Sequence, residues 1–233
     1  MKKREPESLI VIGAGGHAKV VISTLEAAGH KVTGVYDDDR AKWGAEILGV
    51  PVLGGLADLG IEFRGKAVIA IGDNPARARV ARQFEQTDWV TVVHPAAYVH
   101  HSASLGQGTV VFAGAVVQPC ANVGAHVIVN TGATIDHDCM IDDFVHIAPG
   151  TNLAGGVKIG RGAFLGIGSA VIPYRSIGEW TTVGAGAVVI TDLPAGVTAV
   201  GVPAIPLERD ENDSDASSRP ALITGRNIRE AIL

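Results

Sequence analysis

Cysteine is nearly absent: Cys120 and Cys139 are the only two in 233 residues, and they form no CxxC pair. That count excludes a disulfide framework and a thiolate zinc site. Aromatic residues make up only 5% of the chain, too few for a core built around large rings. Positive charge is also scarce. The 19 Lys and Arg stand against 24 Asp and Glu, a net charge of −5 with no basic patch, which argues against nucleic acid as a partner. No apolar run approaches the ~18 residues that a membrane span needs. The basic start Met1-Lys2-Lys3-Arg4 meets too short an apolar stretch at Leu9–Ile12 to act as a signal peptide, so a cytoplasmic protein is expected. At 18% charged residues the chain is no coiled coil, and at 47% hydrophobic it is not a disordered one. What is abundant is glycine, 30 residues without the three-residue period of collagen.

The chain repeats. Stepping by six from Val93 gives Val99, Leu105, Val111, Val117, Val123, Val129, Ile135, Ile141, Ile147, Leu153, Ile159, Leu165, Val171, Ile177, Val183 and Val189, aliphatic at every step. A period of six fits neither an amphipathic helix nor strand alternation. It fits a parallel β-helix in which each hexad forms one flat side and three sides make an 18-residue coil. The aliphatic points inward. The glycine that often follows it, as at Gly106, Gly124, Gly160, Gly178 and Gly184, is expected to permit the corner. Residues 93 to about 195 then give between five and six coils, in a domain expected over residues 93–206. The pattern resembles the left-handed β-helix of hexapeptide-repeat acyltransferases.

Residues 1–92 read as a small α/β domain. Ser8–Ile12, Lys31–Tyr36, Val50–Leu53 and Lys66–Ile71 look like strands. Ala18–Ala28 reads as a helix with Val20, Val21, Ile22 and Leu25 on its apolar side, and Ala76–Gln86 as a second helix. This βαβ alternation implies a Rossmann-like parallel sheet with ligand loops at its strand ends. Residues 207–233 leave the repeat and begin with an acidic run, expected to be a solvated, mobile tail.

Two stretches carry chemistry. Gly13-Ala14-Gly15-Gly16-His17-Ala18 satisfies G-x-G-x-x-A between a strand and a helix, where backbone N–H groups can hold a diphosphate. Asp37-Asp38 follows about twenty residues on, the place of a ribose or base contact. The loop holding Asp73 and Asn74 opens at another strand end. A dehydrogenase would use the same turn, but a repeat prism offers no hydride-acceptor pocket. In the β-helix, His137 follows Ile135 by two, and the equivalent position one coil later is Gly155. An imidazole beside a bare glycine leaves space along the coil and exposes a backbone N–H. Acyl transfer from a thioester needs those two things, a base for the nucleophile and a donor for the developing oxyanion. Asp138 could orient the ring. Cys139 as a nucleophile is not required, because an amine can attack directly. His101 and His137, two coils apart, could stack as metal ligands, but a resemblance to γ-type carbonic anhydrases, which share the left-handed β-helix, would imply a third histidine where Asp142 stands, so no metal is expected.

Both halves resemble the bacterial sugar acyltransferases that include UDP-4-amino-sugar N-acetyltransferases, GDP-perosamine N-acetyltransferase and the sialic-acid O-acetyltransferase group. The matching segments are Ile12–Ala18, Tyr36-Asp37-Asp38, Ile71-Gly72-Asp73-Asn74, Asp136–Cys139 and Gly201-Val202-Pro203-Ala204. The resemblance implies a homotrimer that transfers acetyl from acetyl-CoA to a nucleotide-linked amino sugar carried on UDP, GDP or dTDP. It implies His137 as general base with Asp138 behind it, and Asn130, His146 and Gly155 near the acetyl thioester. Gly13, Gly15, Gly16, His17, Asp37, Asp38, Asp73 and Asn74 are the expected substrate-binding residues. O-acetylation of a sugar such as sialic acid, or a non-catalytic trimeric nucleotide-binding module, are the alternatives.

Overall fold

A computed structural model describes residues 8–207. The acidic tail expected beyond Leu207 lies outside the described residues. The chain opens with β1 (Ser8–Ile12), α1 (Gly16–Ala27), β2 (Lys31–Tyr36), β3 (Glu46–Ile47), β4 (Val50–Gly54), β5 (Lys66–Ile69), α2 (Asn74–Gln83) and β6 (Asp88–Trp89). These strands form one sheet in the order β3-β4-β2-β1-β5-β6, parallel except for the β3–β4 pair. β1 lies between β2 and β5, so the strand order reverses at its end, where Gly13 begins the glycine turn. An open parallel sheet leaves its ligand crevice at such a reversal.

Local chemistry sets the helix ends. α1 starts at Gly16 rather than Ala18, on an extended Gly15, and buries Ala18, Val21, Ile22, Thr24 and Leu25. Val20 belongs to the outer side instead, 40% exposed. Gly29, at φ +84°, stops the helix as its N–H and that of His30 bond back to Glu26 and Leu25. β5 ends at Ile69, two residues short of the expected strand. Asp73 caps α2 through the Ala76 N–H at 2.7 Å, with Pro75 in the first turn, so this helix begins two residues earlier than its apolar pattern suggests.

From Val92–Val93 onward the chain is a left-handed parallel β-helix. Two-residue strands pair with those eighteen residues away, as Val110 with Val92 and Ile128, and stack into three faces. Face one holds Val110–Val111, Ile128–Val129, His146–Ile147 and Phe164–Leu165. Face two holds Val116–Val117, Thr134–Ile135 and Asn152–Leu153. Face three holds Asn122–Val123, Met140–Ile141 and Lys158–Ile159. The inward aliphatics, Val111 through Val189, form one closed core. Glycine's role at the corners differs from the expectation. The corner turns at a left-handed residue two places further on, in register from Gly108 to Gly186, and Cys120, His126, Asp138, Phe144, Tyr174 and Trp180 take that conformation without being glycine. The glycine after the aliphatic serves coil stacking: a Cβ on Gly124 would lie 2.7 Å from the Asp142 carbonyl carbon, and one on Gly160 2.6 Å from the Glu179 nitrogen. Outward residues of face one are nevertheless buried. Val92, Val110, Phe112 and Ile128 pack with Ala18, Val21, Ile22 and Leu25 of α1. This seam sets the glycine turn against the prism. No helix among the described residues is long and apolar enough to cross a membrane.

Candidate active site

The glycine turn is built from Gly13 outward. Gly13 has φ +107°, and a Cβ there would meet Ile71 Cγ1 at 2.8 Å and the Ala70 carbonyl oxygen at 2.9 Å. Its glycine is therefore demanded by the fold itself. Gly15 and Gly16 differ, since a Cβ at either meets nothing within 4 Å, and no side chain caps the start of α1. Free N–H groups at a helix start beside open space make an anion site. Asp37 braces this turn rather than reaching out of it. Its carboxylate accepts from the Ala14 N–H at 2.6 Å, the Asp39 N–H at 2.9 Å and Lys42 Nζ at 3.2 Å. Partial burial raises the Asp37 pKa, but these donors outweigh it and hold the group below the usual carboxylate value. Asp38 accepts from the Leu56 N–H at 2.8 Å and is otherwise exposed.

Three of the expected ligand residues, Asn74, His146 and His17, lie where the sheet domain meets the prism. Asn74 is 5% exposed, and its amide is fully committed. Nδ2 donates to the Gly162 and Ala163 carbonyls at 3.0 Å each, and Oδ1 accepts from Arg77. It holds the two halves together. His146 is 8% exposed with both ring nitrogens engaged: Nδ1–H donates to the Gly72 carbonyl at 3.2 Å, and Nε2 accepts from Asn130 Nδ2 at 3.1 Å. Asn130 also accepts the Thr131 N–H on its Oδ1. The His17 ring turns toward the prism, 5.4 Å from Phe112 and 6.0 Å from His146, with Nε2 buried and unpartnered. Arg77, at the centre of this seam, carries no motif signal. It is one of three arginines on α2, with Arg79 and Arg82, yet it is 1% exposed.

The seam holds its histidines neutral. Burial, with the charge of Arg77 behind it, lowers His126 to about 4 and His146 to about 3, and the same causes lower His17 to about 4. Arg77 itself falls to about 9 through burial, partly held up by Asp73, and stays cationic at neutral pH. An imidazole whose folded pKa lies below its unfolded value takes up a proton more readily when unfolded. Stability is then complete above about pH 6.5 and is lost as pH falls toward 4, by about 3 kcal/mol for His126 alone. Urea unfolding at pH 7, 5.5 and 4.5 is expected to show a decline that starts above the carboxylate range. A flat response down to pH 4.5 means that these rings are not held neutral.

The second group stands on the corner between faces two and three. His137 is half exposed, and its Nδ1–H donates to Asp138 Oδ2 at 2.7 Å. That bond fixes the tautomer and leaves the Nε2 lone pair free. A Cβ on Gly155 would lie 2.5 Å from that Nε2, so the ring lies across the glycine, as the eighteen-residue spacing implies. The carbonyls of His137 and Gly155 accept from the Gly156 and Tyr174 N–H groups, and the Asp136 carboxylate accepts the His137 N–H at 2.7 Å. The Gly155 N–H donates to none of the described residues. The bond to Asp138 and the charge of Asp136 raise the His137 pKa against a small opposing effect of burial. Cys139 points inward, its Sγ donating to the Ala154 carbonyl at 3.2 Å, and burial raises its pKa. Among the described residues no three His, Cys, Asp or Glu side chains come together as a metal site, and His101, His137 and Asp142 do not assemble.

Comparison with known proteins follows the same division of the chain. The sequence model of the PglD N-terminal domain matches residues 8–84. Perosamine N-acetyltransferase from Caulobacter crescentus, solved as a histidine-to-asparagine variant in complex with CoA and GDP-perosamine, is 41% identical with TM-score 0.80, over 87% of this chain and 97% of that one. The acetyltransferase domain of PglB from Neisseria gonorrhoeae FA1090, solved with acetyl coenzyme A, is 39% identical with TM-score 0.81, over 87% of this chain and 100% of that one. GDP-perosamine N-acetyltransferase from Escherichia coli O157:H7 is 28% identical over 216 residues, 85% of this chain and 96% of that protein. A shorter match, 31% identical over 101 residues, spans 20% of the uncharacterized protein L142 of Acanthamoeba polyphaga mimivirus.

Proposed function

The chain belongs to the hexapeptide-repeat sugar N-acetyltransferases that carry a PglD N-terminal domain, and from that premise we propose that it acetylates the amine of a nucleotide-linked amino sugar with acetyl-CoA. The observation that carries the reading is the exposed His137–Asp138 pair lying over the buried Gly155. The sugar amine attacks the thioester carbonyl carbon, His137 Nε2 takes the proton the nitrogen sheds, and the C–S bond breaks to release CoA. Asp138 keeps the ring in the accepting tautomer and balances the imidazolium as it forms. The unpartnered Gly155 N–H meets the carbonyl oxygen as its charge grows. The diphosphate sits over Gly15 and Gly16 at the start of α1, where the backbone is open. Asp38, with one carboxylate oxygen fixed by Leu56, faces the nucleoside side of the same crevice.

One chain separates these parts. The glycine turn adjoins face one through His17 and His146, whereas His137 stands at the far edge of face two. A homotrimer in which a neighbouring copy brings its His137 corner to this glycine turn would complete the site. Mixing the protein with acetyl-CoA and UDP-, GDP- and dTDP-linked amino sugars, while following thiol release, tests the reading. Release that depends on one of these sugars is expected. Release with a hydroxyl acceptor and none of the amines would move the enzyme to O-acetylation.

A further inference from the structure

We propose that Arg77 and Asn74 are positioning residues for acetyl transfer, a clamp that sets the nucleotide-sugar loop in register with the rungs of the β-helix. The proposal rests on the reading above. Arg77 Nε donates to the His126 carbonyl at 2.9 Å and Nη2 to the Phe144 carbonyl at 2.8 Å, while Asn74 Nδ2 donates to the Gly162 carbonyl at 3.0 Å. Residues 126, 144 and 162 are eighteen apart, so the pair grips one corner on three successive coils. Arg77 Nη2 also donates to Asn74 Oδ1 at 2.8 Å, which makes the two side chains one unit.

The other end of the clamp reaches the substrate loop. Arg77 Nη1 donates to the Ile71 carbonyl at 2.9 Å and the Gly72 carbonyl at 3.3 Å. Gly72 receives the His146 Nδ1–H on the same oxygen, and His146 passes the connection to Asn130 at the corner between faces one and two. Ile71 in turn walls the glycine turn at Gly13. A guanidinium has five donors in a fixed planar fork, and here all point at backbone carbonyls or an amide, with no carboxylate against it. Burial of such a cation is weak evidence for stability, since apolar packing can hold a seam equally well. A rigid fork that reads stacked carbonyls does what apolar packing cannot. Sliding the sheet domain along the prism by part of a coil, or tilting it, breaks these bonds together, so the glycine turn keeps its height against the rungs of the helix. Reaction between two bound substrates depends steeply on such placement.

Arg77→Met, Arg77→Lys and Asn74→Ala in the full chain test this, with steady-state kinetics beside calorimetry for CoA and for the free nucleoside diphosphate. For Arg77→Met, kcat is expected to fall roughly 10–100-fold while both dissociation constants stay within about threefold. Arg77→Lys should recover part of the loss, and Asn74→Ala should show a smaller fall of the same kind. If melting temperature drops while kcat holds, or if both ligands are lost together, the clamp is structural only and the proposal is overturned. Should the unaltered protein turn over none of the amino sugars, the functional reading fails by itself, and 15N-histidine NMR then decides the clamp. His146 is expected to show one fixed neutral tautomer between about pH 5 and 8 and to lose it in Arg77→Lys and Asn74→Ala. A His146 signal unmoved in a folded variant overturns the proposal. Asn74→Ala takes an acceptor from Arg77 and loosens the clamp without removing the cation, and it serves both arms if the arginine variants do not fold.

Discussion

Replacing His137 by alanine is expected to lower kcat by roughly 10²–10⁴-fold, the usual worth of a positioned general base. Little else should change. The ring is half exposed, and its one side-chain partner is the adjacent Asp138. Removing it opens no cavity, so melting temperature and CoA affinity should stay close to those of the unaltered protein. The pH dependence gives a second handle. A base must be neutral to accept a proton, and His137 is held above the ordinary 6.5 by the Asp138 hydrogen bond. Activity should therefore fall as pH drops through that raised pKa. Asp138→Asn keeps the shape but removes the carboxylate charge, so the acid limb should move to lower pH while the maximal rate declines. Near-normal turnover in His137→Ala, or an acid limb that ignores Asp138→Asn, would take the proton-accepting role away from this ring.

Valine at Gly15 should weaken nucleotide-sugar binding about 10²–10³-fold, the loss of two charge-assisted hydrogen bonds at about 1.5–2 kcal/mol each. The unliganded fold has room for the side chain. Gly15 has φ −86°, and a Cβ there touches nothing within 4 Å, so the variant should fold. The branched carbons would instead occupy the space that the diphosphate needs against the α1 N–H groups. CoA binding should be unchanged, since the expected thioester site lies on the β-helix. Alanine at Gly13 is the instructive contrast. That position combines φ +107° with Ile71 and Ala70 within 3 Å of the added carbon, so this variant should lose stability and both ligands. Calorimetry with each ligand on the two variants distinguishes them. Unimpaired sugar-nucleotide binding by Gly15→Val would put the diphosphate somewhere else.

Much of this was legible in residue order because the β-helix repeats by a rule that side-chain type obeys. An inward position once per side must be aliphatic, since nothing else fits a prism closed on three faces, and this fixes the coil at eighteen residues. That number alone sets Gly155 beside His137. The glycine turn was legible for a similar reason: close approach of backbone to a neighbour or a ligand demands the missing Cβ. The corner conformations were not, because six of them are carried by residues such as Cys120 and Trp180 that show no turn signal. The seam between the halves escaped entirely. Residue order marks Asn74 and His146 as ligand contacts and does not mark Arg77, and only the docked structure shows them joined through carbonyls of Ile71, Gly72, His126, Phe144 and Gly162. Every residue has a carbonyl, so the sequence carries no mark of which ones a buried donor will find. Side-chain patterns determined the two architectures and the meeting of His137 with Gly155. How one architecture sits on the other was decided by backbone acceptors, which exist as a set only once the chain has folded.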